Sequence, residues 1–341
     1  MLLTMKEVNR LRVLQGYMDG KMFIEEAARI LKRSLRSVYR MLAKVREKGP
    51  EGVLHGNRNK LSPRRVPEAT RRKVIELALG RYRDVNDTHL CEILGEAEGV
   101  AIGRETLRGI LRKEGIPSKR KVKRRKYRSR RERKEAFGMM LQIDASPHDW
   151  LQGRGPWLTL VGAKDDATGY VWAHFEEAET TWGYLDLMGE VISTHGVPLS
   201  LYADRHSIFH TTREPTLIEQ LKDVVPLTQF GRAMEELGIS VMKAWTPQAK
   251  GRIERQWGVF QDRLVVELRL ARANTLEQAR EVLKSFLQDY NQRFCRLPKQ
   301  AAAVFRKAPP KAVLHNILCL KETRMVKKDH TVSFDGLVLQ I

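Results

Sequence analysis

Residues Ala249–Leu268, AKGRIERQWGVFQDRLVVEL, decide how the chain is read. Ile253, Trp257, Phe260, Leu264 and Leu268 recur at spacings of three and four, the mark of one buried helix face. Glu254 sits one residue off that stripe, between Arg252 and Arg255. A lone carboxylate at such a border is ordinarily a solvated ion-pair partner. It gains a second meaning if strands upstream carry further acids that this helix can meet.

Such strands can be read between residues 140 and 244. MLQIDA (Met140–Ala145), WLTLVGA (Trp157–Ala163) and YVWAHF (Tyr170–Phe175) are apolar runs of strand length, with an Asp165–Gly169 turn making the last two a hairpin. A helix over Thr180–His195 follows, then a strand over Pro198–Ala203. After it come a helix over Phe230–Leu237, a strand over Ile239–Ala244 and the Glu254 helix. The order is βββαβαβα, an α/β arrangement that resembles the ribonuclease-H-like fold: a mixed five-stranded sheet with helices on both faces. In that fold strands one and four are neighbours. The resemblance therefore sets Asp144, ending the first strand, beside Asp204, just past the fourth. Carboxylates so close resist ionising together unless a cation lies between them. Mg²⁺ or Mn²⁺ suits such hard oxygen ligands, and two ions would clamp the attacking and leaving oxygens of a phosphodiester. Asp149, Asp165 and Asp166 compete for the role, but turn aspartates ordinarily cap backbone amides. His206 follows Asp204 closely enough to hydrogen-bond near it. Gly153, Gly155 and Gly162 form no phosphate-binding pattern, so no nucleotide cofactor is expected.

Upstream, three short amphipathic helices (Val8–Leu14, Phe23–Leu31, Leu35–Arg46) match a helix-turn-helix unit over 1–48, with Ser34 as an N-cap. Ala28 and Val38 fall at its core positions, and Lys32 stands in the turn where Gly is common. The outer face of the third helix carries Arg36, Arg40 and Lys44, suited to a major groove. Residues 49–66 read as a Gly- and Pro-punctuated linker that includes Arg58. A second such helical domain is expected over 67–117, with Arg104 and Arg108 on its last helix. Residues 118–137 read as a basic segment that tracks DNA; Lys119, Arg120, Lys123, Arg124, Arg125, Lys126 and Arg128 are its cations. The core spans 138–290. A connector and the start of a small β domain follow over 291–341, with a helix over Lys299–Phe305, a hairpin at Thr331–Phe334 and Leu337–Ile341, and a loose strand at Arg324–Lys328. The chain stops at Ile341 within an expected strand, which reads as a β domain begun and cut.

The formal net charge of +21, from 62 Lys and Arg against 41 Asp and Glu, points to a polyanion partner, and nucleic acid is the usual one. No apolar run is long enough to span a bilayer, and no secretory signal opens the chain. Cys91, Cys295 and Cys319 fit neither a zinc spacing nor a disulfide framework.

LQIDAS around Asp144, LYADRHSIF around Asp204 and TPQAKGRIERQWGVFQDRL around Glu254, together with NDTHLCEILGEAEGVAIGRETLRGIL, resemble the insertion-sequence transposases with an integrase-type core, and most of all the ISNCY-type bacterial ones. The resemblance implies an Asp-Asp-Glu triad of Asp144, Asp204 and Glu254 holding two Mg²⁺ or Mn²⁺ ions. It implies cleavage at element ends by water and attack of the freed 3′-hydroxyl on target DNA, without a covalent protein intermediate. It also implies binding to double-stranded element ends and target, a dimer or larger assembly on DNA, and a cytoplasmic, nucleoid-associated place. The chain departs from the pattern twice. Asp204 and Glu254 lie farther apart than usual, the excess falling in Thr211–Thr228, and Lys250 stands where many relatives have Asn, placed with Arg252 to meet a phosphate. A silent DNA-binding repressor and a ribonuclease-H-like nuclease are the alternative readings.

Overall fold

The computed structural model describes residues 3–58, 65–119, 131–211, 213–215, 217–221, 226–243 and 251–340. The chain divides into two compact units, Met1–Arg72 and Lys73–Ile341.

In the first unit, α1 (Met5–Met18) starts at a capping box in which Thr4 and Glu7 satisfy each other's end of the first turn. It is longer at both ends than the Val8–Leu14 periodicity indicates. α2 (Ile24–Leu31) and α3 (Leu35–Lys48) are joined by three residues. Lys32 takes the left-handed conformation that closes α2, so the turn keeps the geometry usually given to Gly. Ser34 caps α3 through its hydroxyl, and Ala28, Val38, Leu42 and Leu14 form the core. A 3₁₀ turn over Gly49–Val53 extends this unit into the expected linker, burying Val53 among those side chains.

The second unit begins within α4 (Glu68–Leu79), which crosses the division, and continues through α5 (Asp87–Glu96, capped by Asn86) and α6 (Arg104–Lys113). The sheet comprises β1 (Leu141–His148), β2 (Leu158–Asp165), β3 (Val171–Glu176), β4 (Ser200–Ala203) and β5 (Ser240–Lys243). α7 (Thr181–His195), the short α8 (Leu217–Leu221) and α9 (Gln229–Glu236) intervene between β3 and β5. α10 (Ile253–Leu270), α11 (Leu276–Phe294) and α12 (Lys311–Ile317) come after it. A separate hairpin of β6 (Thr331–Phe334) and β7 (Leu337–Gln340) ends the described chain.

Strand order is β3-β2-β1-β4-β5. The first three strands are antiparallel, and β4 and β5 run parallel to β1. This is the expected ribonuclease-H-like order. Period-two alternation divides the apolar side chains between two cores. Leu141, Ile143, Val161, Ala163 and Trp172 meet α7 and α9 on one face; Leu158, Leu160, Val171, Ala173 and Phe175 meet α10 and α11 on the other.

Three details after α11 differ from expectation. Residues 299–305 are not helical: Gln300 and Val304 donate to the carbonyls of Glu135 and Phe137, and Arg306 bridges to Val197, so an extended strip delivers Phe305 to the α7 core. α12, a helix not expected from the sequence, starts directly after Pro309–Pro310, with Pro310 at the N-cap. Residues 324–328 form no strand.

Candidate active site

The parallel pairing of β1 and β4 sets the site. Leu141 lies opposite Leu201 and Gln142 opposite Tyr202, the two paired rungs of these strands. Asp144 and Asp204 each follow the second rung by two residues, on adjacent strands that run about 4.8 Å apart. Both negative charges act on the phenol of Tyr184, whose pKa is raised by burial first, then by Glu179, Asp144 and Asp204. Asp204 Oδ1 accepts from the His206 amide at 3.0 Å, fixing the turn that leaves β4. His206 itself is exposed, and its Nδ1 accepts from the Ile208 amide.

α10 lies along β1 and is latched to it at three successive rungs. The Ile253 amide donates to Gln142 Oε1 at 3.3 Å, Trp257 Nε1 to Asp144 Oδ2 at 3.0 Å, and Gln261 Nε2 to Ser146 Oγ at 3.1 Å. Four helical residues rise about 6 Å and two strand residues about 6.6 Å, so the two ladders stay in step. The middle rung needs Gly162, the cross-strand partner of Asp144. A β-carbon there would stand 2.6 Å from Trp257 Cη2 and 2.9 Å from the Trp172 carbonyl oxygen. Glu254 occupies the exposed first turn of α10, two turns before Gln261 and on the same side of the helix. Among the described residues, no three His, Cys, Asp or Glu side chains are clustered closely enough to hold a cation. Asp144 and Asp204 lie on adjacent strands, each two residues past the last paired rung, and Glu254 is carried on the helix that grips Asp144.

The competing acids have structural duties. Asp165 accepts from the Thr168 amide and hydroxyl and from the Gly138 amide. Asp166 is buried and collects the Lys134 amide, Gln142 Nε2, Arg131 and Arg252. Burial opposes its charge, but the Lys134 amide and the two guanidiniums outweigh burial and hold its pKa below the usual carboxylate value. Asp149 caps Gly153. Lys164, on the same face as Asp144, donates to Gln256 Oε1 at 2.5 Å. Burial, and then Arg133, Arg255 and Arg252, push its pKa down to about 8.

Of the cations expected to meet DNA, Arg36, Arg40 and Lys44 are exposed on one side of α3. Arg58 pairs with Glu7, Arg104 with Glu105, Arg108 with Glu105 and Asp87, and Lys119 with Asp262. Arg252 is held by Asp166 and the Arg131 carbonyl. Arg120, Lys123, Arg124, Arg125, Lys126, Arg128 and Lys250 lie outside the described residues.

α5 is fastened to the back of α10. Asn86 Nδ2 donates to Asp262 Oδ2 at 2.6 Å, His89 Nε2 lies 2.9 Å from Glu267 Oε1, and Arg263 grips Glu92 with two bonds of 2.6 and 3.0 Å. No local pattern announces this seam, because its partners lie more than 170 positions apart.

No protein-family model matches the chain. Solved structures similar to it include the catalytic core of BIV integrase (21% identity, 46% of this chain and 85% of that one, TM-score 0.33) and the HTLV-2 integrase core in complex with magnesium (17%, 46% and 88%, TM-score 0.34). The simian T-cell lymphotropic virus intasome is another (14%, 77% and 84%, TM-score 0.39). Curated relatives are closer. The chain is 33% identical over 334 residues to "Putative transposase y4bF" of Sinorhizobium fredii, covering 97% of this chain and 71% of the relative. It is 32% identical over 368 residues to the transposase for insertion sequence IS1202 of Streptococcus pneumoniae, covering 97% and 77%. With identity of that order over 97% of its length, the chain belongs to the insertion-sequence transposases.

Proposed function

We propose that this DNA transposase works through Asp144, Asp204 and Glu254 as ligands of two Mg²⁺ or Mn²⁺ ions, and that its helical units bind the element ends. The observation supporting the reading is that Asp144 and Asp204 follow the same parallel rungs of β1 and β4, beside the helix that bears Glu254. Carboxylates on adjacent strands repel each other, and their oxygen-only donor set fits a hard divalent cation. When bound, such ions lower the cost of charge on the attacking and leaving oxygens of a phosphodiester. The chain's own contribution is positional. Trp257 orients Asp144, the His206 amide orients Asp204, and the α10 dipole favours an anionic group in the first turn, where Glu254 sits. The reaction is hydrolysis at an element end followed by transesterification, in which the freed 3′-hydroxyl replaces one oxygen of a target phosphodiester and no bond to protein forms.

In the first unit, α2, the left-handed turn at Lys32 and α3 act as a helix-turn-helix, with Arg36, Arg40 and Lys44 toward the major groove. α4–α6 form a second reading unit over 67–117. The paired cations Arg104 and Arg108 can still meet phosphates, because exposed ion pairs cost little to open; Arg58, Lys119 and Arg252 sit in more buried pairs and would meet DNA only by exchanging a partner. Two element ends call for at least a dimer on DNA.

The test is a strand-transfer assay on a labelled DNA end with Mg²⁺, comparing wild type with Glu254→Gln. Joined products that vanish in the variant, while DNA binding persists, support the triad. Binding without cleavage or joining by wild type under any metal favours a DNA-binding repressor. Cleavage without joining favours a nuclease.

A further inference from the structure

We propose that Trp257 is a positioning residue for Asp144, its indole N–H fixing which carboxylate oxygen is turned to the cation. The proposal rests on the reading of Asp144 as a metal ligand and adds a role that the acids alone do not specify.

Three observations converge on it. The indole is almost wholly buried, and its one polar atom, a donor only, lies 3.0 Å from Asp144 Oδ2. A buried N–H seeks an acceptor, and an ionised carboxylate is the strongest on offer. The ring is held in place by more than that bond. It belongs to the core of α10, α11 and β3, with Phe260 edge-on at 6.0 Å between centroids. The flanking rungs at Gln142 and Ser146 fix the height of α10 against β1. The sheet is also cut away to receive the ring: Gly162, opposite Asp144, is the residue whose missing β-carbon makes the space.

An aromatic residue needed only for packing would not require its nitrogen to meet the carboxylate. Here the strand notch, the helix register and the donor all serve one contact. With Oδ2 engaged, the rotation of Asp144 is restrained before any cation arrives, so binding does not have to order the side chain. Partners of this kind around ligand side chains change metal affinity by about 10- to 100-fold when removed.

The test measures cation binding directly, without DNA or turnover. Free Mn²⁺ is followed by electron paramagnetic resonance during titration of wild type, Trp257→Phe and Asp144→Asn. A fourth protein carries benzothienylalanine at position 257, which keeps the ring shape and lacks the N–H. The expected result is a Kd for Mn²⁺ raised about tenfold in both position-257 variants, with thermal midpoints near wild type for the benzothienylalanine protein, and a larger loss in Asp144→Asn. If Asp144→Asn loses the site while the benzothienylalanine protein binds as wild type does, the positioning role is overturned and the metal reading stands. If Asp144→Asn binds as wild type does, or wild type shows no saturable site in the millimolar range, both fall.

Discussion

The indole of Trp257 lies where the side chain of residue 162 would begin: a β-carbon on Gly162 would approach Trp257 Cη2 to 2.6 Å. The other near neighbour, the Trp172 carbonyl oxygen, belongs to the adjacent strand and cannot move without breaking the β2–β3 ladder. Gly162→Ala therefore has to displace the ring, and with it the bond to Asp144. The expected cost is about 2 kcal/mol of stability, accompanied by loss of strand transfer. A urea midpoint and the end-joining assay check the two effects on the same preparation.

Asp166 is fully buried and gathers the mostly buried Arg252 and the half-exposed Arg131, and removing its charge leaves both guanidiniums short of a partner. Asp166→Asn should cost about 3 kcal/mol at neutral pH. The pH dependence has a definite sign. Because the folded-state pKa is held below the ordinary value, the contribution is complete above about pH 5 and drains away as the pH falls below about 4. The stability difference between wild type and variant, followed by denaturant titration from pH 7 to pH 3, should shrink toward acid.

Lys164 also makes stability rise with pH, but as a buried charge that costs stability rather than adding it. The unfolded chain keeps its proton up to the usual 10.5, while the folded protein releases it above about 8. Between those values the unfolded state binds more protons, so this group makes stability rise with pH. Lys164→Met removes the buried charge and should raise stability by about 1 kcal/mol at pH 7. It should also abolish the rise. Urea midpoints at pH 7 and pH 9.5 for both proteins decide it.

Arg263 is the strongest tie of the α5–α10 seam, bidentate to Glu92 with its guanidinium also 5.1 Å over the Phe294 ring. Arg263→Ala should weaken the seam by about 2 kcal/mol. Hydrogen exchange in residues 87–96 should quicken while β1–β3 exchange is unchanged. Uniform quickening across the sheet would show instead that the substitution had loosened the core.

The elements around the site were legible in the sequence for different reasons. Short apolar runs bounded by turns revealed β1 to β3, and the three-and-four spacing revealed α10, because both patterns report on burial. The neighbourhood of Asp144 and Asp204 came only with the resemblance to a known sheet order; spacing alone does not say which strand pairs with which. Trp257 was read correctly as a core residue, yet its bond to Asp144 depends on helix-to-strand register, which no local pattern encodes. Gly162 belongs to no phosphate motif and carries no other local signal, since a missing side chain has meaning only against the neighbour that fills its place. The expected helix at 299–305 failed because Phe305 reaches the α7 core through extended pairing with residues 135–137 and 197, a long-range gain that overrode local preference.

The fastening of α5 to α10 bears on how this chain can exchange parts with its relatives. A crossover near residue 117 would look harmless, falling between a helical unit and the sheet. It would pair a foreign α5 with Asp262, Arg263 and Glu267, leaving acids and a guanidinium at a contact shaped for other partners. The heritable block therefore comprises residues 86–119 together with the outer side of a helix some 150 positions downstream. Chimaeras that respect this block should fold and retain their end preference. Those cut at the apparent boundary should need compensating changes on α10 first.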